Sequence, residues 1–189
     1  MEPIKIERLE DSEIEVCRGL CNELMDFQKM KAQKDKSCFD TMNFDTRMKR
    51  SYEHALDSQV WVAKDGNAPV GYVFSTVDQV SEADRTDFPD WAPKSGIGFY
   101  PDWVKLPQKI GCLSNLYLKE AYRGSGAGTK LFDETMKWLR HFSDVGLVFV
   151  YISNGNDHAM QFYLDHGFTY SHEVFGGFIS AAYIDIFNN

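Results

Sequence analysis

Apolar residues recur every three or four positions in several stretches of the chain, which is the spacing of helices with one buried face. The clearest series consists of Cys17, Leu20, Cys21, Leu24 and Phe27. The same spacing recurs in a second, a third and a short fourth stretch. The pattern predicts four helices, over residues 12–31, 44–56, 126–142 and 157–166.

Other stretches have the length of strands and are rich in β-branched and aromatic residues. Two of them flank Asp65-Gly66-Asn67, a sequence typical of a tight turn between paired strands. The run from Gly146 to Ile152 is apolar without alternation, as expected of a central parallel strand. The pattern predicts strands near residues 4–6, 59–63, 70–77, 110–118, 146–152, 168–174 and 178–187.

Periodicity disappears over residues 78–108, between the third and fourth predicted strands. This stretch carries four prolines among the aromatic residues Phe88, Trp91, Phe99, Tyr100 and Trp103. Loops of this length are uncommon inside a domain and are often binding elements. The sequence therefore predicts a long aromatic-rich insertion, which either binds a ligand or only covers the sheet.

Composition and charge narrow the class of protein. The chain has 189 residues, of which 43% are hydrophobic, and this fits one ordinary domain. Its formal net charge of -8 repels phosphate backbones, so we expect no nucleic-acid partner. The same charge would attract cationic small molecules, or it serves only solubility. No window approaches the roughly 18 apolar residues of a membrane span, and we expect a cytoplasmic protein without a membrane partner.

The cysteines and histidines lack the spacing of metal ligands or of a disulfide framework. Cys17 and Cys21 lie one turn apart on the apolar face of the first predicted helix. Cys112 has no paired histidine in its part of the sequence, which favours a core thiol over a nucleophile. We therefore expect reduced core cysteines and no metal.

A glycine-rich run stands at the junction between the strand ending near Leu118 and the helix that follows. Glycines allow the backbone to approach a ligand closely, and the unpaired N–H groups of a helix start attract anions. The run predicts a cradle for phosphate or pyrophosphate, although a purely structural turn would have a similar sequence. Its residues are Arg123, Gly124, Ser125, Gly126, Ala127, Gly128 and Thr129.

A second motif follows about 30 residues later and consists of Asn156, Ala159, Phe162, Tyr163, Gly167 and Phe168. With Arg123, Gly126 and Gly128, this ordered pair of motifs resembles the GNAT superfamily of acyl-CoA-dependent N-acetyltransferases. The resemblance implies a single N-acetyltransferase domain over residues 1–189. It also implies a mixed α/β fold, with a mostly antiparallel sheet of six or seven strands, a splayed parallel pair formed by the fourth and fifth strands, and about four helices.

The resemblance implies a site for acetyl-CoA. The pantetheine arm would pair with the edge of the fourth strand at Leu116, Tyr117 and Leu118, and the pyrophosphate would bind the amides of the glycine run. Asn156 would contact the pantetheine chain, or cap the helix that begins at Asp157, or do both. Ala159 and Tyr163 complete the expected cofactor-binding set.

The implied reaction is direct attack of an amine on the thioester, with the oxyanion held by the backbone N–H of Leu118. Tyr163 would protonate the departing thiolate, and the alternative is that it only packs beside Phe162. Residues 110–116 contain no carboxylate that could act as the general base. The remaining candidates for a base are Asp78, Glu82, Asp84, Asp90, Glu120, His172 and Glu173.

The acceptor is expected to bind between residues 78–108 and 31–43, which flank the thioester end in the family's layout. Six acidic residues among the aromatic residues of the insertion favour a cationic small molecule over a peptide or protein amine. A non-catalytic sensor of acyl-CoA is the alternative from another class. A homodimer is expected from family habit alone.

Overall fold

A computed structural model describes residues 3–188, so the first two residues and the last residue of the predicted domain lie outside the described part. Within it, seven strands form one mixed sheet with the order β1-β2-β3-β4-β5-β7-β6. The strands are Lys5–Arg8 (β1), Asp57–Asp65 (β2), Ala68–Val80 (β3), Gln108–Leu118 (β4), Val145–Ser153 (β5), Thr169–Val174 (β6) and Ile179–Asp185 (β7).

Four α-helices cover the two faces of the sheet, which confirms the predicted fold class. They are Arg18–Lys31 (α1), Arg50–His54 (α2), Ala127–Leu139 (α3) and Asp157–Asp165 (α4). A π-helical turn, Asp45–Lys49, runs directly into α2. The helices α3 and α4 pack on one face, and α1 packs on the other. In the part of the chain described, no helix combines the length and the apolar character needed to cross a bilayer.

The central strands β4 and β5 are parallel but pair over only part of their length. Pairing runs from Lys109 with Val145 to Leu113 with Val150 and then stops, although both strands continue. A bulge at Ser114 shifts the register between β4 and β3 at this point, and bulges bend a strand. Beyond the bulge β4 separates from β5, and the edge of β4 from 114 to 118 faces an open gap.

The third strand is longer than its sequence pattern indicates. We expected it to end at Val77, but β3 continues to Val80, with Asp78 opposite Ile110 of β4. Asp78 and Gln79 interrupt the apolar pattern, and pairing with β4 overrides this local signal. The insertion is therefore residues 81–107, and we call this stretch the covering segment.

The covering segment is ordered by polar and aromatic contacts and lies over the α1 face of the sheet. The Arg85 guanidinium donates hydrogen bonds to the carbonyl oxygens of Tyr100, Pro101 and Val104. Aromatic side chains of the segment pack on Phe175 and on β5, with Phe99 4.9 Å from Phe175 between ring centroids. The segment thus closes much of this face.

The connection after α1 is fixed to the end of β5 by one side chain. The Asn154 carboxamide oxygen accepts hydrogen bonds from the backbone N–H groups of Gln33 and Lys34 at 2.6 and 2.8 Å. Its amide nitrogen donates to the backbone oxygen of Phe178 at 2.8 Å. Three separate segments therefore meet at Asn154.

Candidate active site

The glycine-rich run forms an exposed loop that leads into α3, as its sequence predicts. Gly124 and Gly126 have φ angles of +75° and +83°, and Gly126 is the residue that precedes the helix. A residue with a side chain is strained in this conformation. A Cβ atom at Gly124, Gly126 or Gly128 would meet no atom within 4 Å, so the space above the loop is open.

Most backbone N–H groups of this loop have no acceptor among residues 3–188. Ala127 N–H is bound at 3.3 Å by the hydroxyl of Ser125, which itself donates to the carbonyl of Tyr122. The free donors belong to Gly124, Ser125, Gly126, Gly128 and Thr129. Together with the positive end of the α3 dipole, these donors make an anion-binding concavity.

Arg123 connects this loop to the end of β4. Its Nε donates to the carbonyl oxygen of Leu118 at 3.1 Å, and its guanidinium lies 5.1 Å from the centroid of the Phe27 ring. Both contacts hold the side chain beside the loop. The fixed cation expected from the sequence is therefore next to the open end of the β4–β5 gap.

Alternation along β4 decides which backbone groups face the gap. The N–H of Lys119 donates to Val70 of β3, so the N–H of Tyr117, two residues earlier, also points towards β3. The N–H groups of Leu118 and Leu116, one and three residues before Lys119, point the other way, towards the gap. The N–H groups of Leu116 and Leu118 therefore have no acceptor among residues 3–188, whereas Tyr117 is paired with β3 and the Leu118 carbonyl accepts from Arg123. The Tyr117 hydroxyl donates to Glu23 of α1 at 3.3 Å.

Tyr163 lies at the other end of the gap. It is 5% exposed and packs between Phe162 and Phe168 at centroid distances of 5.4 and 5.5 Å. Burial raises the pKa of its phenol, and the neighbouring Cys112 thiol raises it further. Cys112 is still paired with Phe149 of β5 and lies one residue before the pairing stops, so the phenol is near the closed end of the gap.

Asn156 and Ala159 lie at the start of α4, near the end of β5. Asn156 occupies the capping position, but its side chain makes no capping hydrogen bond. The capping alternative for this side chain is therefore wrong, and the carboxamide remains available to a ligand. It lines a cavity of about 290 Å³ together with Ile152 and Met160. Ala159 is partly exposed on the first turn of the helix.

Of the candidate bases, Asp78 is the one that lies close to Cys112, Tyr100 and Tyr151. Its carboxylate accepts a hydrogen bond of 2.8 Å from the hydroxyl of Thr76, which lies opposite Cys112 in the register of β3 and β4. Burial raises the pKa of the Asp78 carboxyl. Burial also raises the pKa of Cys112 to about 12, and the nearby Asp78 adds to this effect.

The other candidate bases that have described partners are engaged elsewhere. Glu82 pairs with Arg85, and Asp84 accepts from the backbone N–H of Ser81 at 2.7 Å. The ring nitrogens of His172 contact Ser171 and the carbonyl of Gly98 at 2.8 and 2.9 Å, which ties β6 to the covering segment. Asp90, Glu120 and Glu173 are exposed.

Several partly exposed side chains cluster beside Cys112 on the α1 face of the sheet. Cys112 was expected to be a core thiol, but it is partly exposed although burial raises its pKa. Tyr100 and Tyr151 are partly exposed as well, and burial raises the pKa of each phenol. These side chains are surrounded by protein, yet solvent still reaches them, so they line a concave surface. We call this surface the acceptor crevice.

Arg47 also belongs to the acceptor crevice, and sequence reasoning missed it. Its guanidinium lies 4.1 Å from the centroid of the Trp91 ring in the covering segment and is near Cys112. The residue belongs to the π-helical turn before α2, and such turns occur frequently at functional sites. Since Arg47 and Trp91 are far apart in the chain, no local pattern could indicate the contact. Residues 3–188 contain no group of three side chains suited to hold a metal.

Comparison with known proteins identifies a family. The model of the acetyltransferase (GNAT) family matches residues 24–168, which is more than half of the chain. No curated protein sequence matches the chain.

Solved structures with the same fold cover almost the whole chain at low sequence identity. The PaiA N-acetyltransferase of Thermoplasma acidophilum, in complex with coenzyme A, has a TM-score of 0.64 and 15% identity over 97% of this chain and 99% of that one. NAA60 of Arabidopsis thaliana with acetyl-CoA has a TM-score of 0.59 and 16% identity, covering 99% and 100%. Naa50 of Arabidopsis thaliana, with the bisubstrate analogue CoA-Ac-MVNAL, has a TM-score of 0.60 and 11% identity, covering 96% and 98%.

Proposed function

Because the chain belongs to the acetyltransferase (GNAT) family, we propose that it transfers the acetyl group of acetyl-CoA directly to the primary amine of a small molecule. One observation carries the proposal. The open gap between β4 and β5 has an anion-binding loop at one end and Tyr163 at the other. A cofactor with a diphosphate and a reactive thioester, joined by a long arm that can pair with a strand, suits this arrangement.

In this proposal the diphosphate binds the loop from Gly124 to Thr129, with Arg123 adjacent. The pantetheine arm lies along the gap and pairs with the backbone of Leu116 and Leu118, and Asn156 donates to it from the other side. Coenzyme A and acetyl-CoA in the PaiA and NAA60 structures support this choice of cofactor. Tyr117 lies between these two residues, and its side chain is directed towards α1.

The reaction then needs no covalent enzyme intermediate. The amine nitrogen attacks the thioester carbon, an N–C bond forms, and collapse of the tetrahedral intermediate breaks the C–S bond. The Leu118 N–H was the expected oxyanion donor. We assign the oxyanion to the Leu118 N–H, because the free N–H of Leu116 lies about 7 Å away along the strand, too far for both groups to bind one oxygen atom.

Two side chains carry out the proton transfers. Tyr163 gives its phenolic proton to the departing thiolate, and its raised pKa keeps it protonated until then. Asp78 takes a proton from the amine, since its raised pKa makes it a stronger base than an ordinary carboxylate. The raised pKa of Cys112 keeps this thiol protonated, so it does not act as a nucleophile.

The acceptor is a small molecule because access to the crevice is restricted. The covering segment lies over this face, and Asn154 fixes the connection after α1 to the end of β5. A peptide amine is the second candidate, which the Naa50 complex with a peptide-bearing analogue favours. The acids that suggested a cationic acceptor give it little support, because Glu82 and Asp84 are bound within their own segment.

Release of thiol from acetyl-CoA in the presence of amines tests the proposal. A panel of amino acids, polyamines, aminosugars and short peptides should include at least one compound that makes thiol release depend on added amine. If coenzyme A raises the melting temperature but no amine gives turnover, the protein is a sensor of acyl-CoA and the proposed reaction is wrong.

A charge placed in the anion-binding loop should weaken cofactor binding without harming the fold. At Gly128 a side chain would enter open space, and the position has helical backbone geometry. We expect Gly128→Glu to raise the Kd of acetyl-CoA about tenfold more than the isosteric Gly128→Gln does, because only glutamate repels the diphosphate.

The melting temperature provides the control for this pair. Glutamate near a helix N-terminus is favourable, so Gly128→Glu should melt no lower than Gly128→Gln. Calorimetry with acetyl-CoA measures the two affinities. Equal Kd values for the two variants would show that the diphosphate does not bind at this loop.

A further inference from the structure

The guanidinium of Arg47 is held rigidly at the acceptor crevice. It stacks 4.1 Å from the centroid of the Trp91 ring, and the backbone N–H of Arg47 donates to Asn43 at 3.0 Å within the π-helical turn. Buried Phe44 and Met48 of the same segment anchor the turn in the core. The fold therefore fixes the position of the Arg47 side chain.

Within residues 3–188, the charge of Arg47 has no counterion. The other groups that influence it are the thiols of Cys21 and Cys112, and burial lowers the pKa of the guanidinium. In contrast, Arg18 and Arg85 each pair with a carboxylate at 2.6 to 2.8 Å. A desolvated cation without an anion is costly, and proteins normally compensate it with a partner. An anion that pairs with Arg47 would therefore come from outside residues 3–188.

We infer that Arg47 binds a carboxylate of the acceptor, so that the substrate is an amine that also carries an acidic group, as an amino acid does. The inference rests on the proposed function. Asp78 lies near Cys112 as well, and no carboxylate, Asp78 included, contributes to the surroundings of Arg47. The Arg47 guanidinium and the Asp78 carboxylate thus both lie near the Cys112 thiol but not near each other. They match the carboxylate and the ammonium of one small zwitterion.

The same geometry disfavours a purely cationic acceptor. The guanidinium of Arg47 already occupies the face of the Trp91 ring in the covering segment. An incoming cation would meet the charge of Arg47 where a cation–π contact would otherwise attract it. Arginine binds carboxylates in a bidentate manner, which also fixes the direction of the amine.

Matched pairs of amines test the inference. Each amino acid in a panel is compared with its own primary amide, which has the same side chain and a neutral group in place of the carboxylate. The amine of an amide is less basic and more often unprotonated, so an enzyme indifferent to the carboxylate should favour the amides. We expect kcat/KM to favour at least one amino acid over its amide by roughly 50-fold, the value of a lost charge-assisted pair.

Replacement of Arg47 separates recognition from structure. In Arg47→Met the stem and its packing on Trp91 remain, and in Arg47→Lys the charge remains without the planar fork. We expect Arg47→Met to remove the preference for the acid over its amide, Arg47→Lys to retain part of it, and both to leave the KM of acetyl-CoA unchanged. The ratio within one variant does not depend on how much of the protein is folded.

The outcomes distinguish the inference from the function on which it rests. If no amine of either kind releases thiol, the proposed function fails. If amides or polyamines react as well as the acids, or if Arg47→Met lowers acid and amide rates equally, the protein is an acetyltransferase but Arg47 does not recognise a carboxylate. A preference for phosphate-bearing amines over amino acids would likewise overturn the carboxylate assignment.

Discussion

Replacement of Tyr163 by phenylalanine is expected to lower kcat by about 100- to 1000-fold, which is the lower part of the range that a positioned proton donor contributes. The ring is held by Phe162 and Phe168, and no hydrogen bond contributes to the raised pKa of its hydroxyl. Removal of the oxygen therefore leaves the packing intact and takes away only the acid. The Kd of acetyl-CoA from calorimetry should change less than twofold.

Tyr170→Phe provides the matched control, because it makes the same change at an exposed tyrosine of β6. It should retain the full kcat. If Tyr163→Phe kept wild-type turnover, Tyr163 would be a packing residue, and the thiolate would leave without this donor.

Asp78→Asn is expected to lower kcat by about 100-fold at neutral pH and to raise the melting temperature. The amide can still accept the hydrogen bond from Thr76 but cannot take a proton from the amine. Because the folded-state pKa of Asp78 is raised, ionisation of this carboxyl opposes folding. The stabilisation that the protonated carboxyl gives to the folded state is complete below the unfolded-state pKa and is lost as pH rises through the folded-state pKa. At neutral pH the Asp78→Asn variant should therefore have the larger free energy of unfolding.

The pH dependence of this effect gives a sharper test. The ratio of wild-type to Asp78→Asn kcat should be large at neutral pH and should fall as pH falls through the raised pKa, because protonated Asp78 is no base. The ratio cancels the ionisation of the amine itself. Asp87→Asn, at an exposed position of the covering segment, is the control that should alter neither property. A ratio independent of pH would assign the base to another group.

Much of the fold was predictable because its elements carry local signals. The helix α3 follows from the apolar positions Leu131, Phe132, Met136 and Leu139, all of which are buried. The last residues of β3 were not predictable, since Asp78 is polar and becomes strand only through pairing with Ile110 of β4. Strand pairing between residues some 30 positions apart cannot be predicted from the local sequence pattern.

The anion-binding loop was easier to predict than the acceptor crevice. Backbone geometry makes the anion-binding loop, and glycines such as Gly124 and Gly126 reveal it in the sequence. The acceptor crevice instead brings Arg47, Trp91 and Cys112 together from three distant segments. The acidic residues of the insertion pointed to a cationic acceptor because a count of charges does not show which of them are already paired.

The short pairing of β4 with β5 has a consequence for the stability of the whole molecule. Strands β1 to β4 and strands β5 to β7 form two half-sheets, and backbone hydrogen bonds join them only from Lys109 to Leu113 of β4. Along the rest of this seam the bound pantetheine arm would supply the hydrogen bonds that a missing strand leaves unmade. In the proposed mode of binding, the cofactor would join the two halves as well as react, and each turnover that releases it would loosen the seam.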